Sequence, residues 1–196
     1  MSKREDILYT ALHLFNEHGY QAVGVDTIRD VANVSKMTLY KHFKNKDTLI
    51  EEVLKLRHCQ FKESLEEAIA LVPDAPLKLR EVFNWHARWF FSLDFFGCMF
   101  IRATGEYHES SELLAISQEH KQWVARMLED IFLAMGVDNA ASVARFFQVT
   151  LDGMIINASI FRTFDSINEV WRGLCRYIDL PYEPLEKPNS ESIHEQ

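Results

Sequence analysis

The stretch Val25-Asp26-Thr27-Ile28-Arg29-Asp30-Val31-Ala32-Asn33-Val34-Ser35-Lys36-Met37-Thr38-Leu39-Tyr40-Lys41-His42-Phe43-Lys44-Asn45-Lys46-Asp47-Thr48-Leu49 decides the fold. Val25, Ile28 and Ala32 share one face of a short helix. Asn33 follows, a residue type that tolerates the left-handed backbone of a tight turn. Ser35 can cap a second short helix that reaches about His42, with Leu39 and Phe43 as its inner face. Two short helices joined by Asn33-Val34-Ser35 have the dimensions of a helix-turn-helix. The second helix of that motif must be polar outward to enter a DNA major groove, which is about 12 Å wide. From Lys36 to Lys46 there are four lysines, His42 and no acid. Thr38, Tyr40 and the ammonium groups are the donors that phosphate contacts use. Asn45 and Lys46 open a further helix beside the same surface, where backbone N–H groups and the helix dipole favour an anion. Four lysines in eleven residues can also be an ordinary solvated face. The turn, the cap, the inner-face spacing and the lack of acids together favour a reading head.

Charge along the chain points to the same place. The 196 residues carry 21 Lys+Arg and 29 Asp+Glu, a net charge of −8 that speaks against nucleic acid when taken whole. Residues 1–48, however, hold seven basic and six acidic groups, and the remainder has a net charge of −9. Upstream, Ser2 and Glu5 have capping-box spacing, Ile7, Leu8, Ala11, Leu12 and Phe15 follow at helical steps, and Gly19 stops that helix. Downstream, a connecting helix is expected from Lys46 to about Leu71, before Pro73. Further helices are expected from Asp74–Pro76 to near Gly97, from Cys98 to about Tyr107, and from Ser111 to Met135. The last two are expected from Asp138 to about Thr163 and from Ser166 to Asp179. The expectation is an all-α chain of about nine helices. Its domains are a helix-turn-helix domain over 1–45, a ligand-binding and dimerisation bundle over 46–181 (connector 46–71), and a disordered tail over 182–196.

At this level of detail the stretch resembles the DNA-binding domain of TetR-type bacterial transcriptional regulators. The resemblance rests on Val34-Ser35-Lys36, on Thr38-Leu39-Tyr40 with His42-Phe43, and on Lys46-Asp47 leading into the fourth helix, and covers about residues 5–55. Farther on, helix order, total length and Gly97-Cys98-x-Phe100 support it. It implies a three-helix DNA-binding domain, a connecting fourth helix and a helical bundle that binds a ligand and forms the dimer. It further implies that Lys36, Met37, Thr38, Tyr40, Lys41 and His42 lie on the recognition helix, with Tyr40 and Lys46 gripping phosphate. Two positions depart from the family pattern: Asn33 and Met37 both stand where Gly is frequent. Met37 either meets a thymine methyl or packs on the turn.

The bundle carries eight aromatics between Phe83 and Phe100, one third of the chain's 24. Most belong to a core, and a few can line an apolar ligand cavity. The expected ligand residues are Trp85, His86, Trp89, Met99, Arg102, Glu106, Trp123 and Phe147, with Asp152 and Asn157 as further polar candidates. The helix from Asn139 to Arg162 has only Arg145, Asp152 and Arg162 as charges, and its apolar residues spread over more than one face. Such a helix must be buried on two sides. With the final helix bearing Val170, Trp171, Leu174 and Ile178, it is expected to form a four-helix interface with its two-fold mates.

The sequence contains no G-x-S-x-G, H-E-x-x-H or glycine-rich phosphate loop, and the spacings of His86, Cys98, His108 and His120 match no common metal pattern. No catalysis, cofactor or metal is therefore expected; a helical enzyme, or a redox or metal sensor using Cys98, is the rival reading. Cys59, Cys98 and Cys175 are odd in number and far apart. With no signal-peptide pattern and no membrane span, they suggest the cytoplasm. The expectation is a homodimeric repressor that a small molecule releases from a palindromic operator, with double-stranded DNA and that effector as its partners.

Overall fold

Nine helices and no strand make up the regular structure of residues 2–188, the part of the chain that the computed structural model describes. They are α1 (Lys3–His18), α2 (Val25–Val31), α3 (Lys36–His42), α4 (Lys46–Ala70), α5 (Ala75–Phe90), α6 (Met99–Glu106), α7 (Ser111–Ala134), α8 (Ala140–Phe161) and α9 (Phe164–Tyr177). The chain divides into two units, residues 1–61 with 98–120 and residues 62–97 with 121–196.

In the first unit, α1 starts at the expected capping box. Ser2 Oγ accepts from the Glu5 amide, and the Glu5 carboxylate accepts from the Ser2 amide at 2.7 Å. Ile7, Ala11 and Phe15 of α1, Ile28 of α2, Leu39 of α3, Phe43 after it, and Leu49, Ile50, Val53 and Leu54 of α4 bury together in one core. α6 joins this core through Met99, Phe100 and Ala103 and meets the end of α1. There the Arg102 guanidinium donates to the carbonyls of Phe15 (3.2 Å) and Asn16 (2.8 Å) in the last turn of α1, where the Phe15 carbonyl also accepts from the Gly19 amide at 3.0 Å. Glu106 accepts from the Gln21 amide at 2.6 Å, and the buried Tyr20 hydroxyl donates to Met99 O at 3.0 Å. Burial pushes the Tyr20 phenol well above its ordinary pKa, so it remains a donor. Gly19 makes this close approach possible: its φ is +84°, and a Cβ there would lie 3.0 Å from Glu106 Oε1. Farther along, His58 of α4 and His120 of α7 bring their Nδ1 atoms to 3.1 Å, one donating and the other accepting. Phe100 stacks on the His120 ring.

In the second unit, α5 begins where expected, with Asp74 Oδ1 accepting from the Leu77 amide at 3.1 Å. Three other caps differ from expectation. Ser110, one residue before the expected Ser111, accepts from the Leu113 amide at 3.3 Å, at the first-unit end of α7. The second-unit end of α7 closes through Gly136 at φ +71°, and Asn139, left-handed at φ +57°, precedes α8 without a side-chain cap in place of Asp138. α9 starts at Phe164 rather than after Ser166. The core gathers Phe83 and Phe90 of α5, Phe132 of α7, Phe147 of α8 and Trp171 of α9, with Phe83 and Trp171 rings 4.8 Å apart.

The expected disordered tail is a docked segment over 182–188. Leu185 is buried, the Leu185 amide donates to Asn168 Oδ1 (3.0 Å), and the Glu186 amide donates to Asn84 Oδ1 (2.9 Å). Arg80 donates to Glu183 and to Pro184 O, and Trp171 Nε1 donates to Glu183 O. Composition suggested a loose end because Pro, Glu and Ser dominate it. The structure instead offers its backbone polar groups side-chain partners on α5 and α9, so the segment is held. Residues 189–196 of that expected tail lie outside the described residues.

Candidate nucleic-acid interface

Local sequence builds the reading head. Gly24 opens α2, and Ile28 is its one buried residue. Asn33 takes φ +51°, the left-handed turn that its position requires. Ser35 then caps α3: its Oγ accepts from the Thr38 amide at 3.0 Å and lies 2.8 Å from the Thr38 hydroxyl. Leu39 and Phe43 face the core, and Arg4 sits over the Phe43 ring at 5.2 Å. Asn45 caps α4, its Oδ1 accepting from the Thr48 amide and hydroxyl, each at 2.8 Å. The start of α4 therefore stands next to the end of α3.

The residues assigned to DNA fall together. Lys36, Met37, Tyr40, Lys41 and His42 are exposed on α3, and Thr38 is half-buried with its hydroxyl engaged by Ser35. Lys46 is half-buried. Burial draws its ammonium below the ordinary lysine pKa, against the opposing carboxylates of Glu106 and Asp47. One partner was not legible in the sequence. Asp26 of α2 comes within 3.6 Å of Lys36, although the α3 stretch itself has no acid. Asp26 is also held at 2.9 Å by Arg29, which bonds Asp30 too, so a single guanidinium is shared between both carboxylates of α2. The exposed surface of α3 stays cationic.

Residues 7–53 match the family model described as bacterial regulatory proteins, tetR family. Over those residues the chain is similar to the tetR family. Over 69 residues it is 33% identical to an uncharacterized HTH-type transcriptional regulator, YhgD, of Bacillus subtilis, which is 35% of this chain and 36% of that protein. Over 78 residues it is 35% identical to the HTH-type transcriptional activator FasR of Mycolicibacterium smegmatis, 40% of this chain and 36% of that one. The matched stretch thus spans just over a third of these relatives' length. The whole fold is similar to the crystal structure of a TetR-family transcriptional regulator from Streptomyces coelicolor. The TM-score is 0.83 at 25% identity, over 90% of this chain and 95% of that one. The TetR family consists of transcriptional regulators rather than enzymes.

The residues expected to hold a ligand are divided between the two units. Met99, Arg102 and Glu106 belong to the first unit, where Met99 is core and the other two hold the end of α1 and Gln21. The rest belong to the second unit. Phe147 is fully buried against Phe83 and Phe132. Trp85 Nε1 donates to Ser64 Oγ at 3.0 Å, and Trp89 packs edge-on against Phe95 at 5.0 Å. Asp152 is taken up by Lys121 and Gln148, and Asn157 is half-buried. Trp123 lines a cavity of about 610 Å³ together with Ile69, Pro73, Lys78, Met127 and Ile131. Those neighbours escaped the sequence reading because they come from three helices and a loop, with no local pattern. Among the described residues, no three His, Cys, Asp or Glu side chains gather as a metal ion requires, and no helix is long and apolar enough to cross a membrane.

His86 is wholly buried, and its Nδ1 donates to Val82 O at 2.7 Å. Burial drives its pKa down to about 4, and the nearby Lys121 charge adds to the effect. Between the unfolded value near 6.5 and about 4, the unfolded chain takes up a proton that the folded chain refuses. Stability contributed by neutral His86 is therefore complete above pH 6.5 and is lost as pH falls through that window, by roughly 3 kcal/mol in all. Urea melts at pH 7 and pH 4.5 should show this loss, and His86→Gln should remove most of the difference. An unchanged pH dependence in the variant would assign the acid lability to other groups.

Proposed function

We propose that the protein is a homodimeric DNA-binding repressor that a small molecule releases from a palindromic operator. The observation that carries the DNA half is the exposed cationic face of α3, set on a buried Leu39–Phe43 edge beside the capped start of α4. The match of residues 7–53 to the tetR-family model supports it. In this reading Tyr40 and Lys46 grip phosphate, and Lys36, Met37, Lys41 and His42 enter or flank the major groove.

The dimer half rests on α8 and α9. One face of α8 is core, and the other exposes Phe146 (45%), Val149 (65%), Ile156 (51%) and Ile160 (67%) at helical spacing. On α9 the exposed Val170 and Tyr177 adjoin it, with Tyr177 and Phe146 rings 4.7 Å apart. Gly153 and Gly173 lie within the two stripes, with nothing near their missing Cβ atoms, so another backbone can come close. An apolar patch of this kind on a water-facing surface calls for a partner. A two-fold mate would set two α3 helices about 34 Å apart, one turn of DNA.

The effector reading is supported by the α4–α5–α7 cavity, whose apolar walls and charged rim suit a small amphipathic molecule. The effector would act by binding two spacings of the reading heads unequally, with α4 as the lever.

Gel-shift titration on the DNA upstream of the gene, at two salt concentrations, tests the docking face. Lys46→Ala should weaken every sequence alike and reduce the salt slope by about 0.9 for each phosphate no longer neutralised, one per protomer. If Lys46→Ala and Tyr40→Ala leave affinity unchanged, the face is wrong. A reporter gene settles the sign of regulation, which differs among relatives, since FasR is named an activator.

A further inference from the structure

Met37 points outward from α3. It lies two positions before the buried Leu39, which turns it about 200° away from the core edge, and one helical turn before the exposed Lys41. It is 82% exposed, so it does not pack on the turn. Around it, Ser35 and Thr38 satisfy each other and Lys36 leans to Asp26. The first turn of α3 therefore projects one apolar, flexible side chain into the space where a recognition helix meets base edges. Among the groups that base pairs display in the major groove, the thymine C5-methyl is the apolar one.

We infer that Met37 is a specificity residue that reads a thymine through its methyl group. The inference rests on the DNA-binding reading above and adds one thing to it: a base preference set by apolar contact rather than by hydrogen bonding. The contact withdraws one methyl group and the Met37 thioether end from water on binding. A purine, a cytosine or a uracil at the same position leaves Met37 against a polar edge or an empty space. Burial of one methyl corresponds to about a 4-fold preference per half-site, or about 15-fold when both half-sites of a dimer are changed.

The test uses the full-length protein and a site selected from a random duplex pool. Each thymine of the enriched site is then replaced by deoxyuridine, symmetrically in both halves, which removes the methyl and leaves pairing intact. The expected result is one position at which the wild type loses about 15-fold in affinity. There Met37→Ser binds the thymine and deoxyuridine sites equally, near the wild-type value for deoxyuridine. Uniform tolerance of deoxyuridine by the wild type overturns the inference while leaving DNA binding standing. So does a Met37→Ser variant that still prefers the methyl. A pool from which nothing is enriched overturns the DNA-binding reading together with this one.

Discussion

Replacing Val149 and Ile156 together by glutamate should leave the protein monomeric in sedimentation velocity at micromolar concentration. It should also lower affinity for a palindromic operator by about 10²- to 10⁴-fold. Both side chains stand in the exposed stripe of α8 rather than in its buried face, so the carboxylates meet water in the monomer and the protomer keeps its circular dichroism. In a two-fold dimer each glutamate would be desolvated close to its mate, at a cost that apolar contact in that interface does not offset. The loss in DNA affinity follows because a linked second reading head binds at high effective concentration, whereas a single α3 supplies one half-site alone. A variant that remains dimeric would move the interface off α8. A monomer with unchanged operator affinity would instead sever dimerisation from DNA binding.

Trp171→Ala should cost about 3–5 kcal/mol of stability. For a chain of this size that lowers the melting temperature by about 10 °C. The indole is buried between α5 and α9, against Phe83, and its Nε1 is the donor that holds Glu183 O. Truncation opens a cavity in the second unit and frees one anchor of residues 182–188. The two effects can be separated. Amide exchange at Leu185 and Glu186, which donate to Asn168 and Asn84, should accelerate more than exchange in α5. Trp171→Phe keeps most of the volume but loses the indole donor, so it should retain the melting temperature better than it retains protection of those amides. Equal loss at both sites would mean that segment and core open as one.

These expectations draw unequally on what could be read beforehand. The reading head was legible because every determinant is local. The Ser35 cap, the Asn33 turn, the Leu39–Phe43 edge and the lysines between 36 and 46 lie within 25 residues, and short-range sterics and hydrogen bonds decide them. The apolar character of α8 was legible too, from its few charges. Which face is core and which is left over was not, because that depends on where Phe83, Phe132 and Trp171 arrive from other helices. The unit to which each expected ligand residue belongs was not legible either. Met99, Arg102 and Glu106 follow the aromatic run in sequence, yet the chain turns at Gly97 (φ +88°) and they join the first unit. Arg102 finds its carbonyl partners 86 and 87 positions earlier, a pairing that no spacing rule encodes.

The amino-acid order therefore dictates the nine helices, the turn and cap of the reading head, and the concentration of positive charge on it, because each of these depends on neighbours a few residues away. Tertiary packing alone decides that α6 closes the end of α1, that residues 182–188 are bound rather than loose, and that Met37 stands clear of the turn. In each case the deciding quantity is access to water or to a distant hydrogen-bond partner. That access exists only once the helices have met.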